Sequence, residues 1–279
     1  MSLPIFASLL VAALLHAVWN GLVRYDSDRR AASTAIAAGG AAIGLMLVLS
    51  LPLMRAAAIP YVAVSSLFQV AYYALVARAY RDGELSVSYP VMRGLAPLMV
   101  TVAAALFIET PAPVVVIGIV VVAVGIVALG IEGLKRGASG LVAAGANACV
   151  IAIYTLCDGL GARVSGAPVD YVAWGLVGGG GATVVVAAAV KGRSLVTDLV
   201  ARIPLGLVGG AMSCAAYGIA LWAMTIAPIG AVAAVRESSV LFATAIGAVA
   251  LGERFGPVRW AAAALVVVGL ALVEIGGAT

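Results

Sequence analysis

Long apolar stretches, separated by short polar or Pro/Gly breaks, run the whole length of this 279-residue chain. Cut at those breaks, they fall at about 3–23, 32–53, 60–80, 85–107, 113–132, 139–161, 169–190, 204–226, 229–251 and 257–276. A helix needs about 20 residues at 1.5 Å rise to cross a hydrocarbon core about 30 Å thick, so each stretch is one predicted span. The runs are continuous, whereas the strands of a transmembrane barrel alternate and are shorter. The connections are short and leave no soluble domain. The pattern predicts an all-α integral membrane protein of ten transmembrane helices.

Two of these spans are interrupted by charge. Span four reads SYPVMRGLAPL from Ser88 to Leu98, with Arg93 between Pro90 and Pro97. Span nine carries Arg236, Glu237, Ser238 and Ser239 inside an apolar run. A charge at the centre of the hydrocarbon costs about 2.5–3.5 kcal/mol on insertion scales, so such residues face a bundle interior and mark function. Proline removes a backbone donor and frees a carbonyl, which makes Pro90 and Pro97 candidate hinges.

The chain also repeats. A shift of 144 lays Tyr73 on Tyr217, Glu109 on Glu253, Pro113 on Pro257, Gly125 on Gly269 and Gly133 on Gly277, and it lays Arg93 on Glu237. A shift of 138 lays Asn20-Gly21 on Asp158-Gly159. These matches divide the chain into a first five-helix repeat, 1–137, and a second, 138–279, within one membrane domain. Five is odd, so the second repeat enters from the opposite side, and the two inverted repeats enclose a central cavity. The charges agree with that inversion. Twelve of the sixteen Lys and Arg fall on one face, and the other face has only Arg55 and Arg163. The positive-inside rule puts the twelve in the cytoplasm and both termini outside.

Composition sharpens the class. The chain is 64% hydrophobic and 10% charged, which excludes an ordinary soluble domain. Its net charge of +4 is scattered over short loops and implies no nucleic-acid partner. The partners expected are the lipid bilayer and a small-molecule substrate. Cys149, Cys157 and Cys214 fall unevenly in apolar runs and read as buried thiols, neither a disulfide framework nor a metal site. No Lys or Arg precedes the first apolar run, so the N-terminus is expected to be a retained helix and not a signal peptide. No Walker loop, HExxH or CxxC is present, so no cofactor, metal or catalytic constellation is expected.

Candidate binding residues cluster by helical spacing. His16, Trp19 and Asn20 share one face of span one, and His16 is the only histidine, which makes proton coupling conceivable. Gln69, Tyr72 and Tyr73 share a face of span three, and Tyr89 lies four residues before Arg93. Tyr217 and Trp222 lie in span eight. Aromatic walls with polar tips suit an amphipathic solute. Arg93 and Glu237 reach similar depths from opposite faces. They read either as a pair that holds a zwitterion or as a salt bridge that locks the two halves. Ser238 and Ser239 are candidate donors to a carboxylate. Asp158, near the end of span six, reads as solvated and structural. Tyr80, Trp174 and Trp260, near span ends, read as interface residues. The pairs Gly40/Gly44, Gly175/Gly179 and Gly206/Gly210 have the GxxxG spacing of close helix contacts. The nearly uniform spans five and ten are candidates for packing or for contact with a second copy.

The local sequences LHAVWNG in span one, SYPVMRGLAPL in span four and VRESSVLFATAIGAVALGER across span nine resemble the EamA-type members of the drug/metabolite transporter superfamily. The resemblance covers essentially the whole chain, and amino-acid exporters of the YddG type are the members to compare first. It implies a basket of ten helices around a central cavity, working by alternating access in the inner membrane. It also implies export of small amphipathic metabolites, amino acids including aromatic or hydrophobic ones first. A multidrug or other-metabolite carrier is the alternative within the superfamily, and an intramembrane enzyme is the alternative outside it. The small four-helix multidrug relatives use a glutamate in span one, where this chain has only His16 and Asn20.

Overall fold

The computed structural model describes residues 1–82, 85–128, 140–251 and 256–278, and within them all side chains except those of 73–74, 76–77, 79–90, 247–251, 259 and 278. The side chains of Tyr73, Tyr80, Arg81, Tyr89, Pro90 and Arg259 therefore lie outside the described residues. So do Gly133, Lys135, Arg136, Glu253, Arg254 and the expected repeat boundary at 137/138.

Every described element is helical: α1 (Leu3–Tyr25), α2 (Arg29–Ser50), α3 (Ile59–Asp82), α4 (Leu85–Phe107), α5 (Pro113–Ala128), α6 (Leu141–Ser165), α7 (Pro168–Lys191), the short α8 (Ser194–Val200), α9 (Ile203–Ile226), α10 (Ile229–Arg236), α11 (Ser239–Leu251) and α12 (Pro257–Ala278). Among the described residues, seven helical segments are long and apolar enough to cross a membrane. Shorter apolar helical stretches cover Ala56–Tyr72, Val91–Phe107 and Pro113–Ala128. The chain is a multi-pass membrane protein.

Local chemistry sets the helix ends. The Asp28 carboxylate caps α2 by accepting from the amides of Arg30 and Ala31, both at 3.0 Å. Prolines open α1, α7 and α9, where a missing amide hydrogen costs nothing. Helix α6 ends at Gly166, whose φ of +65° is the left-handed cap that glycine adopts without strain.

Two places depart from regular α-helix. In α7, Leu176–Gly180 winds as a π-helix. It lies against α3, where a Cβ on Gly178 would strike the Ser66 hydroxyl and one on Gly179 would strike Gln69. In span nine the helix breaks at Glu237 and Ser238. There the amides of Glu237, Ser238, Val240 and Leu241 reach back only three residues, to Ala234, Val235, Glu237 and Ser238. Span four, by contrast, runs unbroken from Leu85 to Phe107 through both prolines. The departure from α-helix in the charged spans thus lies in span nine.

Packing relies on small residues, because lipid supplies little hydrophobic drive between helices. All three GxxxG pairs lie at helix crossings. A Cβ on Gly210 would fall 2.6 Å from the Gly40 amide nitrogen, one on Gly206 2.8 Å from the Ala35 carbonyl, and one on Gly44 2.7 Å from the Ala173 carbonyl. Spans five and ten meet each other within the chain, Gly118 against Gly269 and Gly125 against Ala262 and Val266. Every residue of α10 from Ile229 to Val235 is buried, and α6 is lined with buried residues along most of its length. These two elements form the centre of the bundle. Large apolar side chains such as Leu106, Phe107, Val185 and Leu207 point outward, as a lipid-facing surface requires. The three cysteines are free, but Cys149 is exposed and the other two half-buried, because their helix faces turn partly outward.

Candidate functional site

The two charged interruptions meet at the middle of the bundle. Arg93 of α4 places Nε 2.8 Å from Oε2 of Glu237, with both side chains largely buried. The contact is close but off-axis, so neither atom makes an aligned hydrogen bond there. A second guanidinium nitrogen of Arg93 donates weakly to the Ser239 hydroxyl at 3.4 Å. Pro97 has no amide hydrogen, which leaves the Arg93 carbonyl without its usual helical donor. The Thr101 hydroxyl donates to the Pro97 carbonyl at 2.7 Å.

Around this pair lies a cavity lined by Arg93, Pro97, Tyr154, Thr155, Arg236 and Glu237, with apolar walls from α4, α6 and α10. Its volume is about 20 Å³, measured as space open to water centres. One water needs roughly 10–15 Å³ on that measure, so the cavity has room for about one water and is smaller than an amino acid. Arg236, half-buried on the cavity wall, has no hydrogen-bond or ion-pair partner among the described residues. The neighbouring Ser238 hydroxyl is buried and unpartnered as well. An arginine presents five donors in a planar fork that matches a carboxylate. The broken helix therefore aims an unused anion-binding group at the centre of the protein.

Other sequence candidates are distributed around this core. His16 stacks edge-on against Trp19 with ring centroids 5.1 Å apart, close enough to Arg93 and Arg236 for both to act on it electrostatically. The Trp19 indole nitrogen is buried without an acceptor. Asn20 bonds back to the His16 carbonyl at 2.7 Å. Tyr72 packs edge-on against the cavity residue Tyr154. Gln69 donates to Ser65 at 3.3 Å. Trp222 stands at the outer surface, 42% exposed, because that face of α9 turns away from the centre.

Asp158 differs from expectation. Helix α6 continues to Ser165, so Asp158 lies two turns inside the helix end and is 2% exposed. The Tyr171 hydroxyl donates to it at 3.2 Å, and the hydroxyls of Ser65 and Tyr217 face it too. Tyr217 thus belongs to this cluster; it is not among the residues lining the cavity. Tyr154, Thr155 and Asp158 were missed as candidates. Their signal was the run Asn147, Ile151, Tyr154, Thr155, Asp158, spaced by three or four along one helix face.

Polar ties close the bundle at both ends. At one end Arg202 pairs with Asp26 at 2.8 Å, and Lys191 bridges Asp28 at 2.9 Å and Asp198 at 2.6 Å. The Arg202 guanidinium, joined by the Asp28 amide, holds the Asp26 carboxyl below its ordinary range. The Ala31 amide and then Lys191 pull Asp28 down to about 2. At the other end Arg163 pairs with Glu109 at 3.0 Å and donates to the carbonyls of Met224 and Ala227, while Glu109 also accepts from the Ile229 amide. There Asp170 accepts from the Met54 amide at 2.8 Å.

Fold and site together define a polytopic helical membrane protein with a charged centre and ion pairs at both ends. Residues 138–275 match the EamA-like transporter family, a likeness that supports the drug/metabolite transporter superfamily. No curated protein matches the chain. A crystal structure of a protein shares the fold with a TM-score of 0.74 at 19% identity, over 96% of this chain and 98% of that one.

Proposed function

We propose that this protein is a secondary transporter that exports small amphipathic metabolites, amino acids first, by alternating access. The reading includes ten spans in two inverted five-helix repeats, an inner-membrane location, and a YddG-like preference for aromatic or hydrophobic side chains. The observation that carries it is the broken span nine, which presents Arg236 without a partner beside an Arg93–Glu237 pair that joins the two halves. Ion-binding groups at a discontinuous mid-membrane helix suit the site of a secondary transporter. A zwitterion fits these groups in kind. Its carboxylate takes the Arg236 fork, and its ammonium draws Glu237 away from Arg93. The centre then opens only when a solute replaces the internal pair, which links binding to the conformational change.

The test uses purified protein in liposomes with a panel of labelled amino acids. Counterflow of several hydrophobic ones, abolished by Arg236→Ala, supports the reading. Movement of cationic dyes with no amino acid moving supports a multidrug carrier instead. Chemical conversion of a solute without movement supports an enzyme.

A further inference from the structure

Two carboxylates are buried near the centre, and their partners differ. Glu237 has a guanidinium at 2.8 Å. Asp158 has no cation in ion-pair contact among the described residues; its neighbours are hydroxyls. We propose that Asp158 is a proton-binding site whose occupancy is linked to solute at Arg236. The inference deepens the transport reading and rests on it.

The chemistry of the neighbours is the first reason. A guanidinium only donates, so it fixes a carboxylate in its charged state. A hydroxyl donates to a carboxylate and accepts from a carboxylic acid. The Tyr171 hydroxyl therefore suits Asp158 in both protonation states, and those of Ser65 and Tyr217 lie near it. The Tyr217 hydroxyl is buried without an aligned hydrogen bond of its own. The Ser65 hydroxyl also accepts from Gln69, which extends the chain of exchangeable groups to the π-helical face of α7.

The second reason is the surrounding charge. From its own helix, Asp158 is faced by Cys157 and Tyr154. From α3 it meets Ser65, with Tyr61 beyond against Tyr171, from α7 Tyr171, and from α9 Tyr217. The cation acting on it is Arg236 at the helix break, which also acts on Tyr154 and Tyr217. Arg93 and Glu237 compensate each other, and Asp170 is engaged with the Met54 amide. A solute carboxylate on Arg236 offsets a positive charge that favours ionised Asp158. Solute binding thereby strengthens proton binding, and linkage makes the effect reciprocal. The proton binds a carboxylate oxygen of Asp158 and leaves it neutral.

The experiment adds pH-matched L-phenylalanine to purified protein in weak buffer with a pH dye. The wild type takes up protons on binding, approaching about one per chain at saturation. Asp158→Asn takes up none, yet still exchanges phenylalanine in liposome counterflow. Solute binding without proton uptake, or equal uptake by Asp158→Asn, overturns the proposal and leaves the transport reading intact. If no amino acid of the panel moves, the transport reading fails, and infrared pH titration in lipid decides alone. A titrating protonated-carboxyl band that vanishes in Asp158→Asn supports the site; its absence overturns it. If Asp158→Asn does not fold, Ser65→Ala replaces it. Removing one donor shifts the infrared titration to higher pH, and an unmoved titration overturns the proposal.

Discussion

Arg236 and Glu237 are adjacent in sequence yet have opposite situations. Glu237 is occupied by Arg93, whereas Arg236 faces the cavity without an acceptor among the described residues. A charge-assisted hydrogen bond contributes about 1.5–3 kcal/mol, which is about 10- to 150-fold in affinity. Arg236→Ala should weaken binding of a hydrophobic amino acid by that factor and leave binding of its amide almost unchanged, as read by calorimetric titration of the purified protein. Equal loss for acid and amide would remove the carboxylate from the Arg236 site. At the rim, Asp28 sits below its ordinary value of 3.8, at about 2, through the Ala31 amide and Lys191. A carboxyl with a depressed folded value stabilises the fold above the unfolded value and loses that contribution as it protonates. The difference in thermal midpoint between wild type and Asp28→Ala is therefore full above about pH 4 and fades as pH falls to about 2. A difference that is constant across that window would mean that charge has no part in the cap.

Among elements, the crossing of α2 with α9 is the tightest. Gly39, Gly206 and Gly210 bring the two backbones together, and a Cβ at Gly210 meets backbone atoms of α2 that have no side-chain freedom to yield. Gly210→Ala should destabilise the protein by about 1–3 kcal/mol, the usual cost of overpacking. Gly145→Ala in α6 meets nothing within 4 Å and should stabilise by about 0.5–1 kcal/mol through backbone entropy alone. Unfolding midpoints of the two variants measured side by side check both signs. The break in span nine has a different origin. No proline or glycine lies between Arg236 and Ser239, so local propensity does not require it. The buried Glu237, drawn toward Arg93, holds the turn. In span four the side chain of Thr101 covers the Pro97 carbonyl and the helix continues.

For the whole molecule, ion pairs tie the described residues at both ends of the bundle. Asp26 with Arg202 and Glu109 with Arg163 each join residues from opposite halves of the chain. Alternating access requires one set to part while the other holds. Asp26→Cys with Arg202→Cys, bridged by a short thiol-reactive linker, should stop counterflow, and reduction of a cleavable linker should restore it. Full-rate transport by the bridged protein would rule out opening at that end. The paired aspartates and their partners should matter less at high salt, because exposed pairs are screened over about 8–10 Å.

Helix character was legible from apolar run length alone, because a chain in lipid must satisfy its backbone within each segment. The GxxxG spacings likewise marked real crossings, since only a missing Cβ permits such approach. Arg93 and Glu237 stood out because a charge in an apolar run is costly wherever it points. Their meeting, the freedom of Arg236 and the hydroxyl shell around Asp158 came only from the packed bundle. Run-length reasoning placed Asp158 near a wet helix end, and one further turn of α6 with Tyr171 and Tyr217 folded over it made that position dry. Periodicity reports which residues share a face of one helix. Which face meets which, and how a buried charge is satisfied, depends on neighbours more than a hundred residues away along the chain.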